Sequence, residues 1–146
     1  MNKTAQKEQG KGKQAKEKLV GVNYLDELGN IKHFEKLEDG WVRWNLVGRD
    51  FLPFVGDQPW EAGKTKCSAV GGRLGLVREH RALFDAFDIN PNIKETFFPN
   101  DPTGWYWTEE VAGDPSIARV VSFNGGTVGN FSKDLGIYVR PVRVSQ

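Results

Sequence analysis

Side chains able to do acid–base or nucleophilic chemistry are sparse in this 146-residue chain: two histidines, His33 and His80, and one cysteine, Cys67. A nucleophile needs a base within hydrogen-bond reach and a third group to orient that base. Neither histidine has a Ser or Cys nearby in such an arrangement, and Glu79-His80-Arg81 is expected on an exposed helix face. A single cysteine permits no intrachain disulfide and no multi-thiolate zinc site. Cys67 shares a helix face with Trp60, so it is expected to be a small buried thiol and not a reactive one. Calcium would need clustered oxygen ligands. Asn100-Asp101 and the pair Asp85 and Asp88 offer scattered ones, explained more simply as loop and helix-surface residues. The expectation is a non-enzymatic protein with no catalytic residue, no metal and no cofactor.

Recognition chemistry is better represented. Trp105-Tyr106-Trp107 could stack on a sugar ring, although the alternation of a strand sends Trp105 and Trp107 to one face and Tyr106 to the other. Arg140 and Arg143 could grip a phosphate or carboxylate, or else salt-bridge to the helices or mark the outer face of a strand. Residues 124–134 interleave Asn124, Thr127, Asn130, Ser132, Lys133 and Asp134 with three glycines and Phe131. These six, together with Trp105, are the candidate ligand contacts; a plain hairpin explains the same stretch equally well.

The elements that must carry these residues follow from punctuation. From Gly104 onward, short apolar runs rich in aromatic and β-branched residues are broken by Gly, Asn or Asp, the pattern of antiparallel strands and hairpins. Earlier, Leu19–Leu25, residues 31–34 and Trp41–Val47 read as strands, with Val42, Trp44 and Leu46 facing the core. A first helix begins near Pro59, carries Trp60, Lys64, Cys67 and Val70 on one face, and stops at Gly71-Gly72. A second spans residues 78–87 with Leu83, Phe84 and Phe87 as its apolar stripe, and residues 91–104 read as a loop whose Phe97-Phe98 plugs the core.

Composition sets the domain plan. Hydrophobic residues make up 38% of the chain, enough for a single core over residues 19–146. Residues 1–18 instead hold Lys3, Lys7, Lys11, Lys13, Lys16 and Lys18 against Glu8 and Glu17, a net +4 that leaves −3 on the rest of a chain with net charge +1. Such a segment cannot bury enough apolar surface to offset its ordering entropy, so it is expected to be a flexible basic tether. Its lysines would engage a partner subunit of an assembly, with nucleic acid as the second choice. No run nears the ~20 apolar residues of a membrane span, and the basic N-terminus lacks the apolar stretch of a signal peptide. A virion or cytoplasmic location is therefore expected.

Several of these residues also occur in a recognisable order. Trp60-Glu61-Ala62 is followed by Cys67, Gly72-Arg73-Leu74, Glu79 with Leu83, Phe98-Pro99, Trp105-Tyr106-Trp107-Thr108, Phe123-Asn124-Gly125-Gly126 and Tyr138 through Arg143. The series resembles the bacterial Lcl C-terminal domain family over residues 41–143. The resemblance implies an α+β, C-type-lectin-like fold related to sulfatase-modifying-factor and phage tropism-determinant domains. That fold has two helices packed on a twisted antiparallel sheet with paired terminal strands, so Trp41–Val47 is expected against Ile137–Val144, with Gly40 and Val144 at one end. It also implies a recognition or assembly module on a multi-subunit particle such as a phage virion, contacting a glycan or a host protein. The alternative is a purely structural subunit anchored by its basic tail. Two departures stand out. Gly75-Leu76 replaces the family's Pro-Thr before the second helix, and Pro141 replaces a cysteine, which should place its strand at an edge or a bulge.

Overall fold

The computed structural model describes residues 33–146. The lysine tail and the expected strand over Leu19–Leu25 lie outside the described residues. Ten short strands and three helices follow: β1 (Phe34–Lys36), β2 (Val42–Trp44), β3 (Arg49–Phe51), β4 (Asp57–Gln58), α1 (Trp60–Ala69), β5 (Arg73–Leu74), α2 (Val77–Ile89), α3 (Pro91–Phe97), β6 (Trp105–Val111), β7 (Ile117–Ser122), β8 (Val128–Ser132), β9 (Ile137–Tyr138) and β10 (Pro141–Val144). The fold class is α+β. One sheet has the order β1-β2-β3-β10-β5 and the other β4-β9-β6-β7-β8. All pairings are antiparallel except that of β6 with β9.

Helix α1 forms where Pro59 and Gly71 predict. Trp60, Gly63 and Cys67 turn inward. A Cβ at Gly63 would stand 3.0 Å from Val139 Cγ2, so a larger residue there would push on the valine where the helix meets the sheet. The chain leaves α1 through Gly71 at φ +87°, a conformation natural for glycine. Val70 falls off the buried face, contrary to expectation, and is 44% exposed.

Helix α2 begins after Leu76, which has no side-chain group to cap it. The Glu79 carboxylate reaches back to accept from Leu76 N–H at 2.8 Å, and Glu110 accepts from Val77 N–H at 2.8 Å. Two carboxylates thus occupy the positive end of the helix and satisfy donors left over by its first turn. The stretch after Asn90 is a helix, α3, and not the expected loop: Asn90 Oδ1 accepts from Asn92 N–H at 3.2 Å and Pro91 opens the first turn, both start signals.

Alternation along β6 and β7 divides the interior in two. Tyr106 and Val121 join a core with Trp44, Phe51, Leu83, Phe87, Phe98, Phe123 and Val142. Trp107 and Val120 face the other way, into a core with Trp60, Cys67, Leu74 and Val139. Every Trp–Tyr–Trp side chain is therefore at least half-buried, with Tyr106 and Trp107 fully so.

The terminal strands depart from expectation. β2 and β10 share a sheet but do not touch, because β3 lies between them: Val42 pairs Phe51, which pairs Val142. Val144 lies level with Arg49 and Trp44, the opposite end of β2 from Gly40. The run 137–144 is itself split, with β9 in one sheet and β10 in the other. β2 stops at Trp44 because residues 45–48 form a turn in which Gly48 takes φ +67°. Trp41, on the face opposite Val42 and Trp44, is nevertheless 3% exposed, since Arg143 stacks on its ring at 4.1 Å and Gly72 abuts it. Pro141 is in an interior strand, not at an edge. As the first residue of β10 it needs no N–H for the ladder, and its carbonyl accepts from Leu52 N–H at 3.0 Å.

Candidate functional site

Three buried carboxylates each hold arginines, and each serves the scaffold. Asp50 accepts from Arg43 Nε and Arg143 Nε at 2.9 Å and from Ser145 Oγ at 2.6 Å. Burial alone would push its pKa up; the donors from Arg43, Ser145 and Arg143 outweigh it and bring it to about 2. Glu79 accepts from Arg49 Nε at 2.7 Å and Arg73 Nη1 at 2.8 Å. Against the same desolvation, the bonds from Arg73, Leu76 N–H and Arg49 hold it at about 2. Asp101 pairs with Arg140 and accepts from Phe54 N–H at 3.0 Å. Arg140 also donates to Leu52 O at 3.1 Å, and its guanidinium lies within about 5 Å of the Tyr106, Phe98 and Phe123 ring centres. Arg140, just before β10, and Arg143 within it are thus engaged by the protein itself, through a loop and strand β3, and not by the helices.

The potentially reactive groups are withdrawn as well. Cys67 is fully buried, and that burial, with a smaller contribution from Glu109, pushes its thiol up to about 12. His80 is not on an exposed helix face. It has no accessible surface, lies edge-on to Phe123 at 5.8 Å, and would meet any Cβ placed on Gly75. Burial first, then the Arg140 charge, lowers its pKa to about 3, so the imidazole is neutral. The misplacement has a simple source: the inward face of α2 is Glu79, His80, Leu83, Ala86 and Phe87, and its first two members are polar. Among the described residues no three His, Cys, Asp or Glu side chains gather closely enough to hold a metal. No helix there is long and apolar enough to cross a membrane.

The candidate contacts run along one edge strand and its turns, on both of its faces, and not in one pocket. Asn124 lies in the turn after β7, Thr127 enters β8, and Asn130 and Ser132 project from the strand; all four are exposed. Lys133 and Asp134 lie in the turn beyond its far end. Lys133 is half-buried, with Nζ 4.0 Å from the centre of the Trp60 ring and its carbonyl accepting from Trp60 N–H at 2.9 Å. Trp105 is on the opposite face from Asn130 and Ser132. Its ring covers Gly129 and meets Phe131 at 5.1 Å, so it backs the strip instead of joining it.

One concavity has no local sequence signal. Val47, Phe51 and Ala82 floor a cleft of about 190 Å³ between β3 and α2, rimmed by Arg49, Arg78 and Glu79. Its residues come from segments about 30 positions apart, so only the folded chain brings them together.

Among curated proteins none matches the chain. The model of the Lcl C-terminal domain matches residues 60–143, from the start of α1 to the third residue of β10 and more than half of the chain. The match takes in the buried Trp60 and Cys67, the Glu79 cap, the Trp–Tyr–Trp strand and the whole strip along β8, while β1 to β4 precede it. The chain belongs to the Lcl C-terminal domain family.

Proposed function

We propose that this chain is a non-enzymatic recognition and assembly module with a C-type-lectin-like architecture. It contacts a glycan or protein through the strip from Asn124 to Asp134 and is displayed on a multi-subunit particle such as a phage virion. One observation carries the reading. The groups suited to catalysis are buried and neutral or locked in ion pairs, while uncharged hydrogen-bonding side chains are exposed along one strand and its turns. Amide and hydroxyl groups on a rigid scaffold suit neutral polar ligands, and loops so held are where recognition concentrates. Two sheets packed with helices around paired cores support the lectin-like assignment.

The test is a printed glycan array probed with wild-type protein and with the Asn124→Ala/Thr127→Ala variant. The reading expects a defined glycan class bound by wild type and lost at least tenfold in the variant. A silent array, or equal binding by both proteins, contradicts the glycan branch. Co-purification of the same pair with the assembled particle then decides the protein branch. A second reading, a purely structural subunit, is favoured by the six lysines of residues 1–18, which would anchor the chain to an acidic partner surface.

A further inference from the structure

Strand β8 is the outer strand of its sheet, and its register with β7 shows which backbone groups are open. Val121 pairs Val128 and Ile117 pairs Ser132, and the ladder is closed beyond both ends by Ser122 N–H to Thr127 O and Lys133 N–H to Ser116 O, each 2.9 Å. In an antiparallel ladder hydrogen-bonded and non-bonded pairs alternate. Thr127, Gly129, Phe131 and Lys133 therefore bond to β7, while the N–H and C=O of Val128, Asn130 and Ser132 point away from it; the Ser132 carbonyl already accepts from Leu135 N–H at 3.1 Å and keeps one lone pair for a second donor. No other strand of the described residues lies on that side.

Open edges are normally short, charged, bulged or interrupted by proline, because an unprotected edge recruits another strand. The other three sheet edges are two or three residues long. β8 is five residues long and carries no charge and no proline.

We propose that β8 pairs antiparallel with β8 of a second copy of this chain, across a two-fold axis through Asn130. The inference rests on the reading of the Asn124–Asp134 strip as a contact surface and names what its open edge holds. The sequence is self-complementary in this register. Asn130 meets the partner's Asn130, and Val128 meets the partner's Ser132; each such pair exchanges two backbone bonds. Lys133 comes level with the partner's Thr127, and Asp134 with the partner's Gly126, so like charges never face each other. On the other face Gly129 meets the partner's Phe131. Trp105 covers Gly129, and a Cβ placed there would stand 3.2 Å from its ring. Trp105 and Phe131 are each half-buried in the single copy, and the partner's Phe131 would cover what remains open. Strand pairing leaves the side chains of Asn130 and Ser132 on the sheet face, so the two recognition strips join and gain avidity.

Sedimentation velocity of the full chain from low to high micromolar concentration tests this. The wild type is expected to pass from monomer to dimer. Asn130→Pro removes an N–H that β7 does not use, so the fold survives, as circular dichroism would verify, and dimerisation weakens at least about tenfold. Asn130→Lys and Asn130→Glu place like charges on the axis, so each alone is monomeric, while their mixture forms a heterodimer. That restoration singles out Asn130 as the axial residue even if the proline variant fails to fold. A wild type that stays monomeric throughout overturns the proposal, as does a dimer that none of the three variants weakens. Glycan binding by a monomeric wild type would retain the strip and remove only the second copy.

Discussion

Removing the Arg140 cation should be among the costliest single changes in this protein. The side chains of Arg140 and Asp101 are 1% and 2% exposed, and the pair connects the start of β10 to the loop after α3. In Arg140→Met the Asp101 carboxylate remains buried with one backbone donor, Phe54 N–H, and the three aromatic rings lose their cation. Breaking a buried pair from one side costs about 3–5 kcal/mol, a large part of the 5–15 kcal/mol or so that holds a typical domain. The melting temperature should fall on the order of 10–20 °C. Asp101→Asn should also destabilise, because it strands the cation. The double variant should recover part of the loss, since a neutral amide can still accept from Phe54 N–H. Urea unfolding of the four proteins gives the cycle. A loss below about 1 kcal/mol for Arg140→Met, or a double variant whose cost equals the two single costs combined, would refute the view of this pair as a buried pin.

Three further outcomes follow, two from the same geometry and one from the composition of residues 1–18. Asp50 and Glu79 titrate near 2 in the folded protein, below unfolded carboxylates, so the unfolded chain binds more protons; their stabilisation is complete above about pH 5 and is lost as pH falls toward 2, and Asp50→Asn/Glu79→Gln should flatten the melting-temperature profile over that range. The Cys67 thiol, buried and raised to about 12, should resist a thiol reagent in native buffer and react fully in denaturant; rapid native labelling would contradict its placement. Deletion of residues 2–18 should leave the melting temperature of the folded domain unchanged and abolish incorporation into the particle, whereas an unchanged assembly yield would defeat the tether.

What the sequence discloses and what it hides divide along physical lines. Pro59 and Gly71 mark α1 because they act locally on the backbone, and the period-two pattern after Gly104 yields β6 to β8 for the same reason. Asn90-Pro91 was an equally local start signal for α3, but the Pro and Asn content around it also suits a loop, and seven residues give little periodicity to decide. β3 has the weakest local signal. Its central Asp50 is buried only because Arg43 and Arg143 from the two flanking strands neutralise it, a relation no local window contains. The neighbours of β10 depend on the same distant relation, and the burial of His80 is hidden by the polar start of the inward face of α2. Along the candidate site, the exposed polar residues 124–134 were legible as a stretch. That β8 is a sheet edge, with Trp105 behind it, depends on which strands fail to pair with it.

Where a ligand touches the protein decides whether residues 124–134 are its binding surface. Backbone NMR of the labelled chain, titrated with a glycan that the array identifies, gives that directly. The expected result is that shifted amides cluster at Asn124, Thr127, Asn130, Ser132 and Asp134, with the Cys67 and His80 environments unmoved. Shifts centred instead on the Val47–Arg78 cleft, or spread over neither surface, would contradict it.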